Sequence, residues 1–212
     1  MKVVALVLVM TVGVARAEVD LPDVSGPIPD YAVHIELGAG VTAGVLEAGS
    51  TGDVAMGAEA HLGLRFDRFV ALVRGAVMSL KPPGNSKYDP DDGYALRAGG
   101  DLRYSVLQDR VISTSKSGRP VATVRRDIWI GGGAGYDSVH WSPDGKLVRP
   151  YVDLAIGYEV MGRIGPAGRS YGALDLALEV FAAKAPVSHI DPTLTGATDH
   201  SVMFAMTFSF GS

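Results

Sequence analysis

The sequence has no cysteine among its 212 residues. That excludes disulfides, thiolate metal sites, a thiol nucleophile and an acylated N-terminal cysteine. It has no surplus of positive charge either: 19 Lys and Arg stand against 23 Asp and Glu, so nucleic-acid binding is not expected. There is no low-complexity tract, no repeat in the range of about 20 to 50 residues, and no helical period to match the strand pattern described below. The early uncharged run from Val3 to Val14 is shorter than the roughly 20 residues a membrane-spanning helix needs.

The flanks of that run account for it. Met1-Lys2 is a basic start and Ala15-Arg16-Ala17 is an A-x-A site, the layout of a secretory signal peptide. Residues 1–17 are therefore expected to be removed, leaving a mature chain from Glu18. Lys2 and Arg16 go with them, so 17 basic residues face 23 acidic ones, a net charge of −6. Export without disulfides suits the envelope of a Gram-negative bacterium. Residues 18–30, EVDLPDVSGPIPD, hold three prolines and no periodicity, which predicts an extended N-terminal arm in the periplasm. Residues 31–212 are one domain's worth of chain.

What the sequence has in quantity is glycine, 27 residues, and strict alternation. Between Val33 and Val45 every odd position is apolar, and every even position is polar or glycine, in the stretch that ends at Leu46. That is a β-strand with one oily face. The same pattern recurs at 54–66, 69–80, 94–106, 128–136, 151–161, 171–181 and 202–210. Eight such segments separated by turn signals predict an all-β fold, an antiparallel up-and-down meander. With the N-terminus in the periplasm, the 67–68 and 162–170 connections read as short turns, and 81–93, 138–149 and 186–200 as long outer loops. Two connections depart from this rule. Residues 47–53 are short for an outer loop, and 107–126 are long for a turn unless they extend strands four and five around Ser117-Gly118.

Alternation alone does not say which face is wet. A soluble barrel would carry dense Lys, Thr, Ser and Glu outside and bulky apolar residues inside. Here the non-oily face is mostly Gly and Ala, with His34, Glu36, Glu59, His61, Arg65, Arg74, Arg97, Asp101, Arg103, Asp153, Glu159, Asp175 and Glu179 among them. Small residues and charges of both signs fit a narrow enclosed lumen, so the Glu36 face is expected inside and the Val41 face against lipid. Tyr31, Phe66, Phe69, Tyr94, Tyr104, Trp141, Tyr171 and Phe210 lie near strand ends, where membrane-interface girdles form. A register in the first hairpin pairing residues that sum to 95 would set His34 opposite His61 and Glu36 opposite Glu59.

In these features the chain resembles the small eight-stranded outer-membrane barrels of the OmpA-like and OmpX-like type, over roughly residues 31–210. The terminal VMFAMTFSF carries the sharpest part of the resemblance. Its Phe204, Phe208 and Phe210 match the alternating aromatic ending that the barrel-assembly machinery is understood to recognise, although Gly211-Ser212 follow it here. The resemblance implies an eight-stranded antiparallel transmembrane β-barrel. Its lumen would be narrow, plugged or weakly conducting, its partners outer-membrane lipid, lipopolysaccharide and assembly machinery, and its loops free for envelope stability or interaction.

Catalytic and ligand motifs are weak beside this. GAGVTAG (38–44) and GGGAG (131–135) do not lead from a strand into a helix, as a phosphate cradle requires. YDPDDG (88–93) lacks the spacing and distal Glu of a calcium loop. No cofactor, metal or catalytic residue is expected. Two alternatives belong to other classes. One is a lipid A acyl hydrolase or acyltransferase built on His140 with Ser138 and Ser142, or on His200 with Ser201 and Asp199; an orienting acid and hydrogen-bond reach would be required, and no His-x-Ser-Asn run is present. The other is a secreted soluble barrel binding a small apolar ligand.

Overall fold

The computed structural model describes residues 33–48, 51–81, 93–114, 120–141, 145–164, 170–184 and 198–211. They form eight strands: β1 (Val33–Ala48), β2 (Thr51–Phe66), β3 (Phe69–Lys81), β4 (Gly93–Thr114), β5 (Pro120–Trp141), β6 (Gly145–Ile164), β7 (Ser170–Lys184) and β8 (Thr198–Gly211). Each strand pairs antiparallel with its neighbour in sequence. β8 closes on β1, through pairs running from Leu37 opposite Phe210 to Val45 opposite Val202, so the sheet is a closed barrel. Closure leaves no edge in the wall and pairs its backbone groups internally.

All eight alternating segments fall within strands, and most strands run further than the alternation suggested. Residues 107–114 extend β4 and residues 120–126 extend β5, paired with each other, with a register shift between Ser105 and Leu107. The proposed turn at Ser117-Gly118 lies outside the described residues. The long outer loop expected over 138–149 is not there. β5 runs to Trp141 and β6 begins at Gly145, because alternation continues through Asp137 and Val139 on one side and through Leu147 and Arg149 on the other. Residues 82–92 and 185–197, which make up most of the other two expected outer loops, lie outside the described residues; they join β3 to β4 and β7 to β8 from strand ends opposite Val33.

The register of the first hairpin also differs from expectation. Val33 pairs with Phe66 and Ala48 with Thr51, a slip of four residues from the sum-to-95 pairing. The strands persist up to residues 48 and 51, which moves the hairpin's centre. Glu36 therefore lies opposite Gly63, Gly38 opposite His61 and Gly40 opposite Glu59. An even slip keeps every side chain on its face and changes only its neighbours. Between β2 and β3, Asp67 takes a left-handed φ of 49° in a two-residue turn, a conformation Asp tolerates.

Large apolar side chains cover the outside. Val33, Ile35, Leu37, Leu62, Val73, Leu102, Leu154, Phe204 and Phe208 all point outward, with Leu154 74% and Val73 70% exposed. The interior holds the charged residues and three small apolar clusters. Glycine makes room for the largest inward side chains. A Cβ at Gly157 would fall inside the Trp129 indole, and Cβ atoms at Gly99 and Gly135 would collide with the Tyr151 hydroxyl.

Candidate functional site

The candidate site is the lumen, whose charged residues come from all eight strands because inward positions alternate along each. Near the Val33 end, Glu36 on β1 accepts from Arg65 Nε at 3.0 Å and from the Tyr171 hydroxyl at 2.9 Å, and its other oxygen lies 3.3 Å from His61 Nε2. Arg65 Nη2 reaches across to Glu159 at 2.6 Å, so a single guanidinium bridges carboxylates from β1 and β6. Beside it, Arg125 grips Asp127 with both arms, at 2.8 and 2.5 Å, and the Ser105 hydroxyl donates to the same carboxylate at 2.9 Å.

At mid-height Arg74 on β3 is the hub. Its Nε lies 2.7 Å from Asp101, its Nη2 donates to Asp153 at 3.0 Å and its Nη1 donates to Glu179. Arg103 donates to Asp175 at 2.7 Å, and the Trp129 indole donates to the other Asp175 oxygen at 2.8 Å. The Arg103 guanidinium also stacks 4.2 Å over that indole. Delocalised and weakly hydrated, guanidinium accepts such burial better than ammonium would, which fits the absence of buried lysine among the described residues.

Toward the opposite end, Arg97 holds Asp137 in a bidentate pair at 2.6 and 3.1 Å and lies 3.7 Å over the Phe181 ring. Arg149 donates to Asp199 and, at 2.7 Å, to the Glu47 carbonyl. An apolar layer fills the rest of this end, with Leu46, Ala55, Met78, Leu80, Val139, Tyr151, Phe181 and Met203 all buried.

The thirteen residues expected in the lumen all lie on inward-facing strand positions, but they do not form one network. His34 stands edge-on to Tyr171, 5.6 Å between ring centroids, and neither of its nitrogens has a hydrogen-bond partner among the described residues. Glu59 is buried within electrostatic reach of Arg74, Arg103 and Glu179 rather than facing Glu36. Sequence reading missed Asp127, Arg125, Asp137, Arg149 and Asp199, which lay in or beside segments read as connections. Extending the parity of β5 and β6 past their assumed ends would have found them. Among the described residues, buried carboxylates outnumber buried guanidiniums by eleven to six.

The aromatic girdle needs one correction. Tyr171 is buried, because it falls on the inward phase of β7 and hydrogen-bonds Glu36. Phe66, Phe69, Tyr94 and Phe210 face outward, and Tyr104 packs against Phe69 at 4.9 Å. Tyr31 and the Trp141 side chain lie outside the described residues. Phe204, Phe208 and Phe210 share the outward face of β8.

Of the catalytic alternatives, the His200 set is separated by the strand itself. Asp199 and Ser201 are buried while His200 is on the exposed face, since adjacent strand residues point to opposite sides. Ser138 and His140 do meet, Oγ to Nε2 at 2.9 Å, with the imidazole stacked on the Tyr94 ring at 4.5 Å between centroids; in strand register His140 lies opposite Lys146. Ser142 lies outside the described residues.

Fold and site together define a closed eight-stranded antiparallel barrel that is charged within and apolar without. No family profile and no curated protein matches the chain. Among solved structures it is similar to Ail, the attachment invasion locus protein of Yersinia pestis, at a TM-score of 0.40 and 12% identity over 84% of this chain and 98% of that one. The barrel and its lumen are read from this chain's own strands.

Proposed function

We propose that the protein is an integral outer-membrane β-barrel, exported by its signal peptide, without catalysis and with a closed lumen. The outward face carries the reading. Large apolar side chains stand exposed on every strand, whereas a soluble monomer keeps apolar patches to a few hundred Å². On β8 the outward residues Val202, Phe204, Met206, Phe208 and Phe210 cover the roughly 9 to 11 residues that a tilted strand needs to cross a bilayer. An even strand number puts both chain ends on one side, the periplasm, and 82–92 and 185–197 on the outer surface, where they would meet lipopolysaccharide or other partners. Phe204, Phe208 and Phe210 are the proposed recognition signal for the assembly machinery.

An eight-stranded interior is just wide enough for side chains to fill. The salt-bridged arginines support a plug, and the apolar layer around Phe181 supports a seal above it. Envelope stability and surface interaction are the roles this leaves. Gel mobility of protein from alkali-washed outer membranes tests the reading: it should stay in the membrane and shift on boiling in SDS. Release as a soluble species without a shift overturns it and favours the soluble ligand-binding barrel.

The hydrogen bond between Ser138 and His140 favours a second reading, acyl hydrolysis at the outer rim. Loss of acyl-chain release from membrane lipid in His140→Ala, with the barrel still heat-modifiable, would establish it.

A further inference from the structure

The described lysines gather at one end of the barrel. Lys81 ends β3, Lys184 ends β7 and Lys146 stands second in β6, so each lies at the end opposite Val33. All three are exposed on the outward face. At such a strand end the apolar stem of a lysine covers the last lipid-facing side chains while the ammonium reaches past them. Around Lys146 the fold adds more polar groups than that covering needs.

Tyr94 on β4 lies opposite His140 on β5, and His140 lies opposite Lys146 on β6. Three adjacent strands therefore carry an outward row of phenol, imidazole and ammonium, about 5 Å apart between neighbouring Cα atoms. Ser138 is the next outward residue of β5, one step nearer the middle of the wall. Its hydroxyl lies 2.9 Å from His140 Nε2, and the imidazole lies parallel to the Tyr94 ring, with 6° between planes and 4.5 Å between centroids. Two contacts thus fix the imidazole. Alternation keeps it outside the lumen, since Asp137 and Val139 are buried and Tyr136 is exposed. Further down the same strands the outward face turns apolar, with Leu96, Ala98, Val148 and Val152. The row marks the level where an apolar wall gives way to polar groups.

The Ser138–His140 pair offers a hydrogen outward in every protonation state. When the hydroxyl donates to Nε2, Nδ1 carries a hydrogen of its own. When Nε2 donates to the hydroxyl oxygen, the hydroxyl hydrogen is free, and in the imidazolium both are. The Tyr94 hydroxyl and the Lys146 ammonium complete a set of donors from three strands. Glu47, an outward carboxylate at this end, is across the barrel on β1 and accepts from the His200 amide at 2.7 Å. Donors of this kind match a phosphate, whose oxygens accept from several directions and whose charge pairs with an ammonium. At the edge of a bilayer the dielectric constant falls below that of water, which strengthens the attraction.

We propose that Tyr94, Ser138, His140 and Lys146 form a site for the phosphate of an outer-leaflet lipid, the phosphorylated sugar headgroup of lipopolysaccharide, whose acyl chains lie along the apolar wall beside it. Lys146 pairs with the phosphate, the Ser138–His140 pair donates to it, and the stack on Tyr94 holds the imidazole in position. One bound lipid then fixes the height of β4–β6 in the membrane. The proposal rests on the outer-membrane reading, and its site differs from the hydrolytic one in needing no reaction.

Binding of lipid A to the processed chain, residues 18–212, in dodecyl maltoside tests it, because this detergent carries no phosphate. Native mass spectrometry at rising lipid concentration gives the Kd of the first lipid bound. Phosphorylated lipid A should bind on the order of tenfold more tightly than its dephosphorylated form. Lys146→Ala combined with His140→Ala should remove that preference and leave the dephosphorylated lipid unaffected. Lys146→Arg should keep it, and so should Arg126→Ala at the other end of the barrel. Every variant should retain its shift on boiling in SDS, the control for folding. Equal affinity for the two lipids, or a preference that survives the double substitution, overturns the proposal while the shift still supports the barrel. Loss of the shift in the unsubstituted protein overturns the outer-membrane reading itself. Displacement of the lipid by an equal concentration of inorganic phosphate assigns the site to the free ion and overturns a lipid site. Release of fatty acid from bound lipid A that stops in Ser138→Ala assigns the pair to hydrolysis and overturns the binding role.

Discussion

At the end of the barrel where β1 begins, Glu36, Arg65, Glu159 and Tyr171 fill the lumen through charged hydrogen bonds. At the opposite end Leu46, Leu80, Val139, Phe181 and Met203 form an apolar layer packed around the Arg97–Asp137 and Arg149–Asp199 pairs. The first region is specific and fragile, since each carboxylate depends on a particular guanidinium and removing either strands a buried charge. The second depends more on volume, with an apolar layer packed against two ion pairs. Side by side, they show how one narrow tube combines fixed geometry with a seal.

The largest expected effect comes from the charged region. Arg74→Met leaves Asp101, Asp153 and Glu179 without their shared cation and should destabilise the folded barrel by about 3–5 kcal/mol, read as a lower denaturant midpoint for the heat-modifiable form. Next comes the seal. Phe181→Ala should cost about 3 kcal/mol and, unlike the first change, raise single-channel conductance. If both variants conduct alike, the division of labour fails.

The wall sharpens the contrast between inside and outside. Leu154→Arg, on the exposed face, should cost about 2 kcal/mol in a bilayer and almost nothing if that face meets water, as unfolding in lipid vesicles will show. Gly157→Val should cost about 1–2 kcal/mol through its clash with Trp129, with loss of the native tryptophan fluorescence. The smallest effect belongs to the hairpin surface: Asp109→Asn removes the exposed bridge to Arg126 and should leave the denaturant midpoint unchanged.

Much of this was legible locally. The inward phase of Glu36, Arg74 and Asp153 follows from parity along single strands, as does the outward phase of Phe204 and Phe208. Arg149 and Asp137 were missed because strand ends are weakly marked, and Tyr171 was misplaced because an aromatic near a strand end reads as girdle until its parity is taken seriously.

The sequence by itself determined the number of strands, the two faces and the chemistry of each, because a period of two is a property of neighbouring residues. The tertiary structure alone decided who meets whom. Arg74 and Glu179 are 105 residues apart, and Arg65 and Glu159 are 94 apart; they join because closure of β8 on β1 fixes the stagger of every strand. A slip of four residues in one hairpin leaves the faces untouched and rewrites all the partners, so pairing across the lumen is a property of the closed barrel.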